Sequence, residues 1–187
     1  MTAGIEDRSN NLMLESERLS FRKITQDDLP WLIEMRAPES ISRYLGGTKL
    51  QNPEALAKRM KFYLGCHEKY GFGICVMELK ETGHPIGTSG LQPLEDTGEI
   101  EVGYNLSERF WRQGYGFECA YGWLKHGFET LGLERIVAVS FPENIGSWKI
   151  MEKCGMHYEK AEQHYGFDCV FYAISRDEFI RHSDDAS

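Results

Sequence analysis

Gly114 and Gly116 mark the point in this chain where the hydrophobic period changes. Upstream, Ile100, Val102, Tyr104 and Leu106 alternate with Glu101, Gly103 and Asn105, the period of a strand. Downstream, Phe117, Ala120, Tyr121, Leu124 and Phe128 recur at helical spacing until Leu131-Gly132 stops them. Ile136-Val137-Ala138-Val139 follows as an unbroken apolar run, the pattern of a central strand covered on both faces. A strand, a glycine loop, a helix and a buried strand in that order predict a mixed sheet with helices on its faces.

The flanking segments fit that plan. Arg18 to Arg22 alternates as a half-buried strand, and Thr25 with Asp28 three residues on opens a helix through a capping box. Pro38 and Gly46-Gly47 punctuate a loop, and Asn52-Pro53-Glu54 starts a second helix that ends near Gly71. Strands at Gly73–Leu79, Pro85–Leu91 and Glu99–Leu106 form an antiparallel meander. Asn144 caps a further helix ended by Gly155, and strands from Met156 to about Gln163 and from Phe167 to Ser175 close the chain. The 187 residues, 41 % of them hydrophobic, suffice for one domain over 14–182, with polar tails at 1–13 and 183–187.

Charge and cysteine usage narrow the partners. Lys and Arg total 21 against 29 Asp and Glu, a net −8 that disfavours nucleic acid and favours cationic partners, amines among them. The five cysteines are widely spaced, with neither zinc-ligand nor disulfide-framework pattern, so no metal is expected. Without a long apolar run or a signal-peptide pattern, a soluble cytoplasmic protein with no membrane partner is expected.

Three segments could carry chemistry. The loop Trp111-Arg112-Gln113-Gly114-Tyr115-Gly116 leads into a helix start, where unpaired N–H groups and the helix dipole favour an anion such as a pyrophosphate. It matches neither the dinucleotide fingerprint nor the P-loop. Glu101, on the opposite strand face from Ile100 and Val102, could act as a general base or stand as a solvated strand residue, and Gly103 could mark a bulge or splay that opens the sheet. Asn144-Ile145-Gly146-Ser147 places a hydroxyl, Ser147, at a second helix start.

The order and spacing of these segments resemble the GNAT superfamily of acetyl-CoA-dependent N-acetyltransferases from about Leu14 to Glu178. The resemblance is closest to the branch of ribosomal-protein N-terminal acetyltransferases. It is carried by Glu15-Ser16-Glu17-Arg18-Leu19 with Arg22, by Ile100-Glu101-Val102-Gly103-Tyr104, and by Trp111-Arg112-Gln113-Gly114-Tyr115-Gly116-Phe117-Glu118. Asn144-Ile145-Gly146-Ser147 and Glu152-Lys153-Cys154-Gly155-Met156 complete it.

The resemblance implies an α/β, single-domain, mostly antiparallel central sheet flanked by helices, and acetyl-CoA as co-substrate. It implies that amides of Arg112, Gln113, Gly114, Tyr115, Gly116 and Phe117 cradle the pyrophosphate, and that Asn105 and Leu106 bond the pantetheine arm like an added strand. Asn144 would contact pantetheine, and Lys153 or Arg112 would neutralise phosphate. Glu101 would take the proton of an ammonium acceptor, a small amine or a protein N-terminus; a homodimer is compatible with this reading.

Two positions depart from the broad pattern. Trp111 replaces the usual Arg or Gln, as in the resembling branch. Met151 stands where a tyrosine often serves as general acid, which leaves Ser147, or less favourably Tyr158, for that role. A covalent route through Cys119 or Cys154, a non-catalytic CoA-binding regulatory module and a nucleotide-binding protein are the competing readings. The acceptor side would draw on residues 25–70, with Trp31, Arg36, Arg43, Tyr44 and Tyr63, and on Tyr165 and Phe167 of the last hairpin. The acidic stretch Glu95, Asp96, Glu99 and Glu101 leads into that side and suggests a preference for cationic amines.

Overall fold

The computed structural model describes residues 11–185. Its elements in chain order are β1 Leu12–Glu15, β2 Leu19–Lys23, α1 Leu29–Arg36, α2 Glu39–Ser42, α3 Pro53–Tyr70, β3 Ile74–Leu79, β4 Pro85–Pro93 and β5 Ile100–Leu106. They continue with α4 Tyr115–Glu129, β6 Arg135–Ser140, α5 Ile145–Lys153, β7 His157–His164, β8 Phe167–Ser175 and α6 Arg176–Asp185. The strands form one eight-stranded sheet in the order β1-β2-β3-β4-β5-β6-β8-β7. Every neighbouring pair is antiparallel except β5 with β6, which are joined through α4 as a crossover requires.

Each sheet face is covered. Phe21, Met77, Leu91, Val102 and Ile136 pack with Trp123, Leu124 and Phe128 of α4. On the opposite face, Ile74 and Val76 pack with Leu32 and Met35 of α1 and with Leu56, Met60 and Tyr63 of α3. No described helix is long and apolar enough to cross a membrane.

Capping residues act largely as their positions suggest. The Asn52 side chain accepts from Ala55 N at 2.9 Å to start α3, and Gly71 ends it at φ +75°. The Asp28 carboxylate accepts the Thr25 N–H at 2.8 Å. The turn it closes is a 3₁₀ turn, Gln26–Asp28, and α1 begins only at Leu29, because Pro30 has no N–H to extend the α register backwards. Asn144 differs from expectation: it precedes α5, but its carbonyl, not its side chain, receives the Ser147 N–H at 2.9 Å.

Four further readings are corrected. Leu12 and Met13 belong to β1, paired with β2, although the tail was expected to reach residue 13; residues 1–10 lie outside the described ones. The 38–51 loop contains α2 and two 3₁₀ turns. α6 covers Ser183 and continues to Asp185, within the expected tail; residues 186–187 lie outside the described ones. Its signal was present in Ser175-x-x-Glu178: Glu178 accepts the Ser175 N–H at 2.8 Å and hydroxyl at 2.6 Å. Gly103 forms no bulge, since it pairs regularly with Gly90 within an unbroken β4–β5 register.

Candidate active site

The opening in the sheet lies on the other side of β5. β5 and β6 are in register at one pair, Glu101 with Val137, and then part. The pleat decides what faces the parting. Ser107 N donates to Ile86 O at 2.9 Å, so alternation turns the backbone of Asn105 towards β4 and that of Tyr104 and Leu106 towards the gap. Of the two residues expected at a pantetheine arm, Leu106 therefore presents its backbone there. Its carbonyl accepts from the Trp111 indole at 2.9 Å, which accounts for a tryptophan at this position. Asn105 instead donates its side-chain amide to Thr88 Oγ1 at 2.8 Å.

Glu101 sits at the root of the gap. It is only 5 % exposed, so of the two readings open for it in the sequence, that of a solvated strand residue is excluded. Its Oε1 accepts from Gln92 Nε2 at 2.5 Å and from the Tyr165 hydroxyl. Burial pushes its pKa above the ordinary carboxylate range, while the bonds from Tyr165 and Gln92 and the charge of Arg59 pull against that rise. Tyr165 reaches it from the tip of the β7–β8 hairpin, a two-residue turn with Tyr165 and Gly166 at φ +55° and +80°. Glu95 pins that tip by accepting from Tyr165 N at 3.0 Å and by pairing with His164 at 2.9 Å.

Beyond the gap, Gly114 precedes α4 at φ +85°, a conformation that suits glycine, and no side chain caps the helix. Its first-turn amides therefore have no side-chain acceptor among the described residues. Arg112, at φ +60°, is exposed and has no ion pair among the described residues. Lys153 places Nζ 4.2 Å from the Phe117 ring centroid. The Gln113 carbonyl accepts from Arg18 Nη1 at 3.1 Å, Arg18 lies 4.3 Å over the Tyr115 ring, and Arg18 Nε bonds Glu118 at 2.7 Å. Arg18 thereby anchors the loop and the first turn of α4 to the sheet, a role that its place in the sequence motif did not reveal. Gly116 lies against α5: an added Cβ would come within 2.7 Å of Ile150 Cδ1. A groove of about 660 Å³ runs from Gly114 past Phe117, Tyr121 and Lys153.

Ser147 stands in the first turn of α5, on the opposite sheet face from Glu101. The Tyr104 hydroxyl donates to Ser147 O at 2.9 Å and lies 3.3 Å from Ser147 Oγ. Tyr104, unnoticed in the sequence except as a core-facing strand residue, fixes this turn beside the gap. Three residues of strand place Glu101 and Tyr104 about 10 Å apart, one on each side of β5. The Asn144 side chain makes no hydrogen bond among the described residues.

Other candidates fall away. Met151 is buried in the core. Tyr158 stands on the edge strand β7, separated from the gap by β8 and β6. Burial pushes the Cys119 and Cys154 thiols up to about 12, so neither offers a thiolate at neutral pH. Within the acidic stretch, Glu99 bonds Arg135 at 3.2 Å, and Glu95 is held by the hairpin tip.

The matches to known proteins agree with this geometry. The family model described as "Acetyltransferase (GNAT) domain" matches residues 18–157. The chain is 30 % identical over 157 residues to the uncharacterized N-acetyltransferase YoaA of Bacillus subtilis, covering 82 % of this chain and 87 % of that one. An acetyltransferase of Agrobacterium tumefaciens superposes with a TM-score of 0.76 at 27 % identity, over 86 % of this chain and 92 % of its own. A RimL ribosomal L7/L12 alpha-N-protein acetyltransferase, solved in complex with coenzyme A, shares the fold with a TM-score of 0.73 at 17 % identity, over 89 % of this chain and 99 % of that one. With a family model matching most of its length and a relative 30 % identical over most of both chains, the chain belongs to the GNAT acetyltransferase family.

Proposed function

We propose that the protein binds acetyl-CoA across the β5–β6 gap and moves the acetyl group directly to a primary amine, small or at a protein N-terminus, in a ternary complex. The observation that carries this reading is Glu101: a buried carboxylate of raised pKa where the sheet opens. The uncapped start of α4 fits the cofactor, since a glycine at the N-cap leaves backbone donors for a pyrophosphate; Arg112, Gln113, Tyr115, Gly116 and Phe117 complete that loop. The backbone edge of Tyr104 and Leu106 suits a pantetheine arm, Asn144 offers an unengaged amide beside it, and Lys153 and Arg112 supply positive charge.

Acetyl-CoA supplies an activated acyl group and a thiolate leaving group. An ammonium is not a nucleophile, so Glu101 in its ionised form accepts the acceptor's proton, directly or through one water. On the other side of β5, the Ser147 hydroxyl, held by Tyr104, can hydrogen-bond the departing thiolate and give it a proton. The two roles lie on opposite faces of one strand, so acceptor and co-substrate can approach from different sides.

Thiol release from acetyl-CoA over a panel of small amines and short peptides, with calorimetric titration of acetyl-CoA, tests the reading. Both binding and amine-dependent release are expected. Binding without release would instead support a regulatory CoA-binding module. The Tyr165→Phe variant gives a finer test. Its hydroxyl favours the ionised form of Glu101, so removing it raises the carboxyl's pKa further. The acid limb of the kcat/KM profile should then move up by about one pH unit, given a hydrogen bond to a charged group of about 1.5 kcal/mol. An unmoved limb would separate Tyr165 from the base.

A further inference from the structure

Glu101 shares its sheet face with two guanidinium groups that have no carboxylate partner among the described residues. Arg59 of α3 lies over the Tyr165 ring, 5.9 Å from its centroid, and its positive charge acts on Glu101. None of its N–H donors has an acceptor among the described residues. Arg36, at the C-terminal end of α1, is 3 % exposed. It meets only the hydroxyls of Tyr63 and Thr88, each at 3.3 Å, and its Nε has no partner among the described residues. Thr88 lies four residues before Gln92 on β4, on the same pleat face, so the arginine and the base bracket a stretch of about 13 Å. Its middle is the Gly90–Gly103 pair, which carries no side chain.

The nearby acidic side chains bond other groups. Glu99 is taken by Arg135, Glu95 by His164 and the Tyr165 backbone, and Glu162 by Lys160. A purely cationic amine approaching Glu101 meets the positive charge of Arg59 and, farther along β4, that of the buried Arg36, which penalise it. A molecule that carries a carboxylate as well as the amine converts the nearer charge from a penalty into a partner. Arginine presents the planar donor fork that recognises a carboxylate.

We infer that the acceptor is an amine that also bears a carboxylate, with Arg59 as the residue that recognises the carboxylate while Glu101 faces the ammonium. This deepens the transferase reading and rests on it. It also reverses the preference for purely cationic amines suggested by the acidic stretch in the sequence. The same chemistry can come from a free amino acid or from a peptide N-terminus followed by an acidic side chain.

The test compares matched acceptors: an amino acid, its amide and its decarboxylated amine, with the dipeptides Ala-Asp-amide and Ala-Asn-amide. In the wild type, kcat/KM should favour a carboxylate-bearing member about 10- to 100-fold, through KM. The amino acid or Ala-Asp-amide arm identifies the source. Measured at a pH above the acid limb of both proteins, because the Arg59 charge also lowers the Glu101 pKa, Arg59→Gln should remove that preference so that charged and neutral members are used alike, and Arg59→Lys should restore part of it. Equal use of charged and neutral members by the wild type, or an equal loss on both in Arg59→Gln, would overturn the inference. Titration of the same compounds without acetyl-CoA gives a readout free of turnover. Carboxylate-dependent binding lost in Arg59→Gln supports the inference even where no thiol is released, an outcome that would count against the transferase reading alone. No carboxylate-dependent difference in either assay overturns it.

Discussion

Replacing Glu101 by Gln is expected to lower kcat/KM for acetyl transfer about 10²- to 10⁴-fold, the usual contribution of a positioned general base. Gln is nearly isosteric and its amide oxygen can still accept from Gln92 and Tyr165, so the loss should fall on chemistry and not on folding or acetyl-CoA affinity. Burial holds the Glu101 carboxyl protonated at pH values where an exposed glutamate is already ionised. Activity should therefore fall as pH drops through this raised pKa, and the variant should lack that limb. The linked effect on stability has a definite sign. Because the folded state keeps the proton longer than the unfolded chain, stability falls as pH rises from the ordinary glutamate range through the folded pKa. At neutral pH the Gln variant, which buries no charge, should be at least as stable as the parent. Full activity in Glu101→Gln, or an unchanged acid limb, would remove Glu101 as the base.

The largest effect on stability is expected at Trp123. It is fully buried, meets Phe21 edge-on at 5.5 Å, and belongs to α4, the helix whose first turn closes the anion loop. Trp123→Ala should cost about 3–5 kcal/mol in urea unfolding at constant m-value, through lost burial and the cavity left behind. Against a typical total of about 5–15 kcal/mol, that is enough to populate unfolded chain near body temperature. Trp123→Phe should cost less, since it keeps a ring in place and removes an indole N–H that has no hydrogen-bond partner among the described residues. A loss below about 1 kcal/mol for the alanine variant would mean that α4 repacks.

Period and punctuation made most elements legible in advance. Asn52-Pro53 and Gly71 bound α3 through local geometry, and the run Ile136–Val139 is apolar because β6 is covered on both sides. The misses have local causes. β1 is short and lies beside the polar N-terminal residues, so alternation has little length in which to show. Trp123, three residues after Ala120, lies on the same buried face of α4 as Leu124 and Phe128, while its contact with Phe21 on β2 joins residues far apart in sequence.

The candidate site divides in the same way. The glycine-bearing loop, Glu101 and Ser147 could be named from the sequence, since each depends on residue type next to a strand end or helix start. Tertiary structure decided their surroundings. It closed Tyr165 onto Glu101, set Tyr104 beneath Ser147, braced the loop with Arg18, and turned the backbone of Leu106, not Asn105, towards the gap. It also engaged Glu95 with His164 and Glu99 with Arg135, and left Arg59 and Arg36 without a carboxylate hydrogen-bond partner among the described residues beside the base. The sequence alone determined the order of elements and the chemistry available, because propensity, capping and hydrophobic period act over a few residues. Pairing of charges and hydrogen bonds joins residues tens of positions apart, so the pKa of the base and the charge of the acceptor side exist only once the sheet is assembled.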